Sequence, residues 1–150
     1  MSAGASAIGF VFAAGSPRLV SATAARSLAT GVTIETVGVF RNQPVDEVIA
    51  TALEAGLTTV QLHGDEPLSD LAEIRAAGFR TIRALTIAQY LADRAALDVD
   101  GSRLLIDGDD PGSGRPAALG ESLPTGPWIL AGGLDPLNVA ERIRATGATG

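Results

Sequence analysis

Six short runs of β-branched and aliphatic residues recur along this 150-residue chain at nearly constant spacing. They are Ala7–Phe12, Thr36–Phe40, Thr58–Leu62, Thr81–Leu85, Arg103–Asp107 and Trp128–Ala131. With Ile8, Val37, Val60, Ile82, Leu105 and Ile129 as centres, the steps are 29, 23, 22, 23 and 24 residues. A near-fixed period of that size marks one structural unit repeated. A strand of about five residues, a helix of about ten and two short loops fill it.

The stretches between the runs carry helix punctuation. Ser21 is placed to cap a helix over 22–29. Asn42 precedes Pro44-Val45-Asp46-Glu47, which puts proline and acids in a first turn, where the helix dipole favours negative charge. Val45, Val48, Ile49, Ala52 and Leu53 then read as one face, and Gly56 as the terminating residue. Pro67 opens the next helix and Gly78 closes it. A weaker pattern covers 88–97, and none is clear between Asp107 and Trp128. Asp135-Pro136 reads as a cap followed by a proline at the first helical position, with Leu137, Val139, Ala140 and Ile143 behind it.

Strands joined by helical crossovers give an α/β fold with a parallel sheet and right-handed connections. Two architectures satisfy the pattern: an open doubly wound sheet, which fits the length without missing pieces, or part of a (βα)8 barrel. Composition narrows the chemistry. The chain holds 26 alanines and only 4% aromatic residues, so its core is built from small and aliphatic side chains. It has no cysteine, which excludes disulfides, thiolate metal sites and a cysteine nucleophile or base. All 11 basic residues are arginine, which removes lysine Schiff-base chemistry. A net charge of −6 argues against a general nucleic-acid or anionic-membrane surface. No apolar run approaches the roughly 18 to 20 residues of a membrane span, and the first residues lack a signal peptide's charged region. The expected location is the cytoplasm.

Polar and glycine-rich residues gather just after the carboxyl ends of the runs: Ser16-Pro17-Arg18, Arg41-Asn42, His63-Gly64-Asp65-Glu66, Asp107 before Pro111-Gly112-Ser113-Gly114, and Gly132-Gly133-Leu134-Asp135. In parallel α/β folds that end of the sheet holds the active site. Gly132-Gly133 before a capped helix reads as a phosphate cradle, with bare backbone N–H groups beside a helix N-terminus. Such a cradle lets an acidic protein bind an anion locally.

Five strings in order resemble the phosphoribosylanthranilate isomerase family, the (βα)8 enzymes of tryptophan biosynthesis. They are Gly9-Phe10-Val11-Phe12 with Ser16-Pro17-Arg18, Val37 to Asn42, Val60 to Glu66, Leu104 to Asp107, and Leu130 to Val139. Together they run over nearly the whole chain, and they select the barrel over the open sheet. The resemblance implies one domain over 1–150, an incomplete TIM-type barrel of six of the eight units that matches the family's strands two to seven. It also implies an Amadori rearrangement of N-(5′-phosphoribosyl)anthranilate to 1-(o-carboxyphenylamino)-1-deoxyribulose 5-phosphate. A general acid protonates the ribose ring oxygen, the ring opens to a Schiff-base cation, and a base removes the C2′ proton. The enol then relaxes to the ketone, with no metal and no organic cofactor.

Carried over by position, Asp107 matches the family's general acid. A carboxyl in that role needs burial or nearby negative charge, which Asp109 and Asp110 are placed to supply. Arg18 matches the arginine for the anthranilate carboxylate, a bidentate task suited to guanidinium. His63, the single histidine, becomes a substrate-pocket residue. Gly132 and Gly133 match the phosphate site. Gly112 and Gly114 match a glycine-rich loop, although Ser113 stands where a second glycine is usual. Arg41 stands where an apolar residue is common, and Arg83 either faces the pocket or packs on a helix. The family's general base is a cysteine on its first strand, which has no counterpart here. Little or no turnover is therefore expected of these 150 residues, the other expectation being a non-catalytic phosphate-ligand binder or a split-barrel remnant. The expected partners are a phosphorylated small molecule and, through open sheet edges, a second copy, with neither nucleic acid nor membrane.

Overall fold

A computed structural model of the chain describes residues 4–108 and 123–150. Strands and helices alternate as the period requires. The first half runs β1 (Ala7–Val11), α1 (Ala22–Ala29), β2 (Glu35–Phe40), α2 (Val45–Ala55), β3 (Thr59–Leu62) and α3 (Leu68–Ala76). β4 (Arg80–Thr86), α4 (Ile87–Asp100), β5 (Arg103–Asp107), β6 (Trp128–Leu130) and α5 (Val139–Thr146) follow. All six strands fall within one residue of the sequence runs. They take the order β1-β2-β3-β4-β5-β6, as expected for successive right-handed crossovers. The chain forms two compact units, one running to Ile82 and the other from Arg83.

In the first unit β1 pairs in parallel with β2, and β2 with β3, from Ala7 opposite Glu35 to Phe40 opposite Leu62. Both faces of β3 are buried, the signature of a parallel strand covered on two sides. Phe10, Phe12, Phe40, Leu62, Leu71 and Ile74 form the core with Ala25, Ala52 and Ala55. Those alanines let α1 and α2 lie close. Phe12 and Phe40 stack with ring centroids 5.0 Å apart. Gly38 makes room for this packing: a Cβ there would overlap Leu57 and come 2.7 Å from Phe40 Cε2.

Ser21 caps α1 by accepting the Ala24 N–H at 3.1 Å, and Gly56 ends α2 in the left-handed conformation. Leu53 departs from the expected face, being 61% exposed. The buried stripe of α2 runs through Val48, Ala52 and Ala55, and Leu53 lies about 100° round the helix from Ala52. At the amino ends of the strands Thr36 and Thr58 bond reciprocally, while Glu35 accepts from the Thr59 hydroxyl and pairs with Arg80. These polar groups satisfy one another and read as stability.

In the second unit β5 pairs in parallel with β6 from Leu104 opposite Trp128 to Ile106 opposite Leu130. Thr86 and Gln89 close a capping box on α4, which Gly101 terminates. α5 begins at Val139, later than Asp135-Pro136 suggests. The Asp135 carboxylate accepts the N–H groups of Leu137 and Asn138, at 2.7 and 2.9 Å, and so caps a separate turn ahead of the helix. Beyond α5, the Thr149 N–H donates to Trp128 O at 2.9 Å and Leu130 N–H to Gly150 O at 3.0 Å. The last residues thus lie along β6. Among the described residues, no helix is long and apolar enough to cross a membrane.

Candidate active site

The carboxyl ends of the first unit's strands carry two of the expected residues. After β1 the chain turns back, Val20 N–H reaching Val11 O at 2.9 Å, and within this turn the Arg18 N–H donates to Ser16 Oγ at 3.2 Å. Arg18 is exposed there, with its guanidinium available to an anion. His63 follows β3. Its N–H donates to Phe40 O at 2.9 Å, which continues the β2–β3 ladder one step beyond the strand.

The ring of His63 is half-buried and oriented from below. Gln61 Nε2 lies 3.2 Å from His63 Nδ1. An amide N–H only donates, so Nδ1 accepts, and a neutral ring then carries its proton on Nε2.

Around His63 the loops after β2 and β3 are knitted together. Glu66, only 7% exposed, accepts the Asn42 N–H at 2.7 Å on Oε1 and the Gly64 N–H at 2.9 Å on Oε2. Asn42 Oδ1 accepts the Asp65 N–H at 2.7 Å. Asn42 has φ 57°, the only non-glycine residue described in the left-handed region. Gln43 adds a third tie, donating to Phe12 O at 3.2 Å and accepting the Arg41 N–H at 3.1 Å. The sequence places Asn42 and Glu66 at strand ends but does not reveal this joint. The signal for it is an asparagine, the residue type that tolerates left-handed backbone, right after a strand.

The second unit presents Asp107 and the Gly132–Gly133 turn side by side. Ala131 N–H donates to Ile106 O at 2.8 Å, so the chain leaves β5 and β6 at neighbouring points. Asp107 is 8% exposed, and its Oδ1 accepts the Gly108 N–H at 2.8 Å. Gly132 and Gly133 have φ 83° and 61°, conformations that glycine adopts at little cost. Asn138 Nδ2 holds the turn by donating to Gly133 O at 2.9 Å.

The cradle differs from its simplest form in one respect. The leading amides at Leu137, Asn138 and Val139 all bond to Asp135. An anion at this corner would therefore not be met by these three amides. Arg83 is half-buried on β4. Gly112 and Gly114, with Ser113, Asp109 and Asp110, lie outside the described residues.

Chemically, the first unit offers a guanidinium and an oriented imidazole, and the second a buried carboxyl next to half-buried glycine backbone. Comparison with known proteins points to one family. The family model described as N-(5′-phosphoribosyl)anthranilate (PRA) isomerase matches residues 1–150. The chain is 43% identical to the N-(5′-phosphoribosyl)anthranilate isomerase of Deinococcus radiodurans, over 94% of this chain and 71% of that protein. It is 33% identical to the crystal structure of the Thermus thermophilus phosphoribosyl anthranilate isomerase, with a TM-score of 0.78 over 97% of this chain and 74% of that one. A further phosphoribosyl anthranilate isomerase structure, 28% identical, has a TM-score of 0.75 over 97% of this chain and 73% of its own. It is a complex with reduced 1-(o-carboxyphenylamino)-1-deoxyribulose 5-phosphate. The chain spans about seven tenths of the length of these relatives.

Proposed function

This chain belongs to the N-(5′-phosphoribosyl)anthranilate isomerase family, and we propose that Asp107, Arg18, His63 and the Gly132–Gly133 turn each take the role that the matching position has in that family. Its fold is the parallel TIM-barrel type of the family, whose reaction is the isomerase step of tryptophan biosynthesis. The observation that carries the residue assignment is the pairing of a buried Asp107 with the Gly132–Gly133 turn at adjoining strand ends.

In this reading the substrate phosphate is held by the glycine backbone, where N–H groups approach without a Cβ in the way. Arg18 pairs with the anthranilate carboxylate through its planar fork, two parallel N–H···O bonds that fix orientation as well as charge. Asp107 gives its proton to the ribose ring oxygen as the C1′–O bond breaks. The nitrogen lone pair forms the Schiff-base cation. Loss of the C2′ proton to a base then yields the enol, which becomes the ketone. His63 lines the substrate pocket in this reading, its ring oriented by Gln61 and its Nε2 buried.

These 150 residues include no cysteine, so none of them takes the part of the family's base, and binding is expected to outlast turnover when they are assayed alone. The test is an assay of the purified chain that follows consumption of N-(5′-phosphoribosyl)anthranilate, with Asp107→Asn alongside. The expected result is trace turnover in both. Robust turnover lost on Asp107→Asn would support Asp107 as the acid and overturn the missing-base reading.

A further inference from the structure

Glu66 is a buried carboxylate that the reaction leaves without a task. Burying a charged group is costly, and satisfying it with hydrogen bonds is weak evidence that it stabilises the fold. What Glu66 does achieve is geometric. Its two oxygens each take a backbone N–H from a different loop, Asn42 after β2 and Gly64 after β3. The Asn42 side chain returns the tie by accepting the Asp65 N–H at 2.7 Å. Close approach completes the joint: a Cβ on Gly64 would overlap Asn42 Oδ1 and lie 3.0 Å from the Asn42 backbone N.

His63 stands at the root of this joint. Its backbone is fixed on one side by Phe40 O, and on the other by the Gly64 amide that Glu66 holds. Its ring meets Gln61 only if that backbone stays in place. We propose that Glu66 is a positioning residue, whose carboxylate locks the loops after β2 and β3 so that His63 keeps one ring orientation and one tautomer toward the substrate. This rests on the isomerase reading, in which His63 lines the pocket.

Glutamine at position 66 keeps the size but replaces one acceptor by a donor, so the Asn42 or the Gly64 amide loses its partner. Because His63 is the only histidine, nitrogen spectra of the isotope-labelled chain show a single imidazole. At a pH alkaline enough to keep the ring neutral, wild-type chain should give one protonated and one unprotonated ring nitrogen. In Glu66→Gln the two signals should move toward each other as the ring exchanges tautomers, while thermal unfolding stays cooperative. Affinity for reduced 1-(o-carboxyphenylamino)-1-deoxyribulose 5-phosphate should fall by about ten- to a hundred-fold, the scale of a small misplacement of a contacting group. Glu66→Asp, which keeps charge and both acceptors, should lie between. Ring signals in Glu66→Gln that coincide with wild type would overturn the proposal, whatever the melting temperature does. Should that variant not fold, Glu66→Asp decides: signals shifted the same way support the proposal, and unshifted signals overturn it. Failure of wild-type chain to bind the analogue would instead remove the isomerase reading, and the ring signals would still decide the positioning role.

Discussion

Replacing Gly64 by alanine tests the joint between the two strand-end loops by steric means. The added Cβ would overlap Asn42 Oδ1 and sit 2.7 Å from Asn42 Cγ and 3.0 Å from its backbone N. The side chain of Asn42 can rotate away, but this gives up the bond from the Asp65 N–H, a loss of about 1 kcal/mol. The backbone contact remains and forces a local shift, for which overpacking costs about 1–3 kcal/mol. Together these predict a loss of about 2–4 kcal/mol. With a urea slope of about 2 kcal/mol/M, the midpoint should drop by roughly 1–2 M at unchanged slope.

The same geometry predicts rescue. Asn42→Gly removes the colliding side-chain atoms and suits the backbone φ of 57°. Alone it should change stability by no more than about 1 kcal/mol, a lost hydrogen bond offset by an easier left-handed backbone. Combined with Gly64→Ala it should recover about 1–2 kcal/mol, a coupling expected only of residues in contact. Urea unfolding followed by far-UV circular dichroism over the four-member cycle measures this. Additive effects, or a Gly64→Ala midpoint within about 0.3 M of wild type, would refute the packing argument.

Two other perturbations probe the second unit. Gly132→Ala places a Cβ at φ 83°, which should cost about 1–2 kcal/mol in stability and weaken inorganic phosphate binding; equal phosphate affinity in calorimetry would remove the turn from the anion site. Tyr90 is the single tyrosine, fully buried, and its phenol is pushed above 10.0 by burial first and then by the bond to Asp98 at 3.0 Å. Its neutral form is thus favoured in the folded chain, so stability from this source is complete below about pH 10 and falls as pH rises beyond it. Absorbance titration should show the phenol ionising later in folded than in urea-unfolded chain, and Tyr90→Phe should flatten the alkaline loss.

Local chemistry made most of the fold readable. Each strand is a β-branched run bounded by turn residues, and Ser21, Gly56 and Pro67 act on neighbours within one helical turn. The errors arose where a side chain acted beyond its nearest element. Asp135 captured amides ahead of α5, which delayed the helix to Val139, and Leu53 fell off a stripe set by Val48, Ala52 and Ala55. Among the site residues, those at strand ends were legible because a parallel sheet puts function there. Glu66 was not, because its partner Asn42 lies 24 positions away and becomes a neighbour only through the pairing of β2 with β3. Gln61 escaped notice as one residue of a buried strand, although it sets the tautomer of His63.

The proposed residue roles depend most on Arg18 as the partner of the anthranilate carboxylate. Calorimetric titration with reduced 1-(o-carboxyphenylamino)-1-deoxyribulose 5-phosphate tests this most directly. The account predicts saturable one-site binding to the wild-type chain, weakened about tenfold or more in Arg18→Lys, where a point charge replaces the bidentate fork. No binding at millimolar analogue, or equal affinity in the two chains, would contradict it.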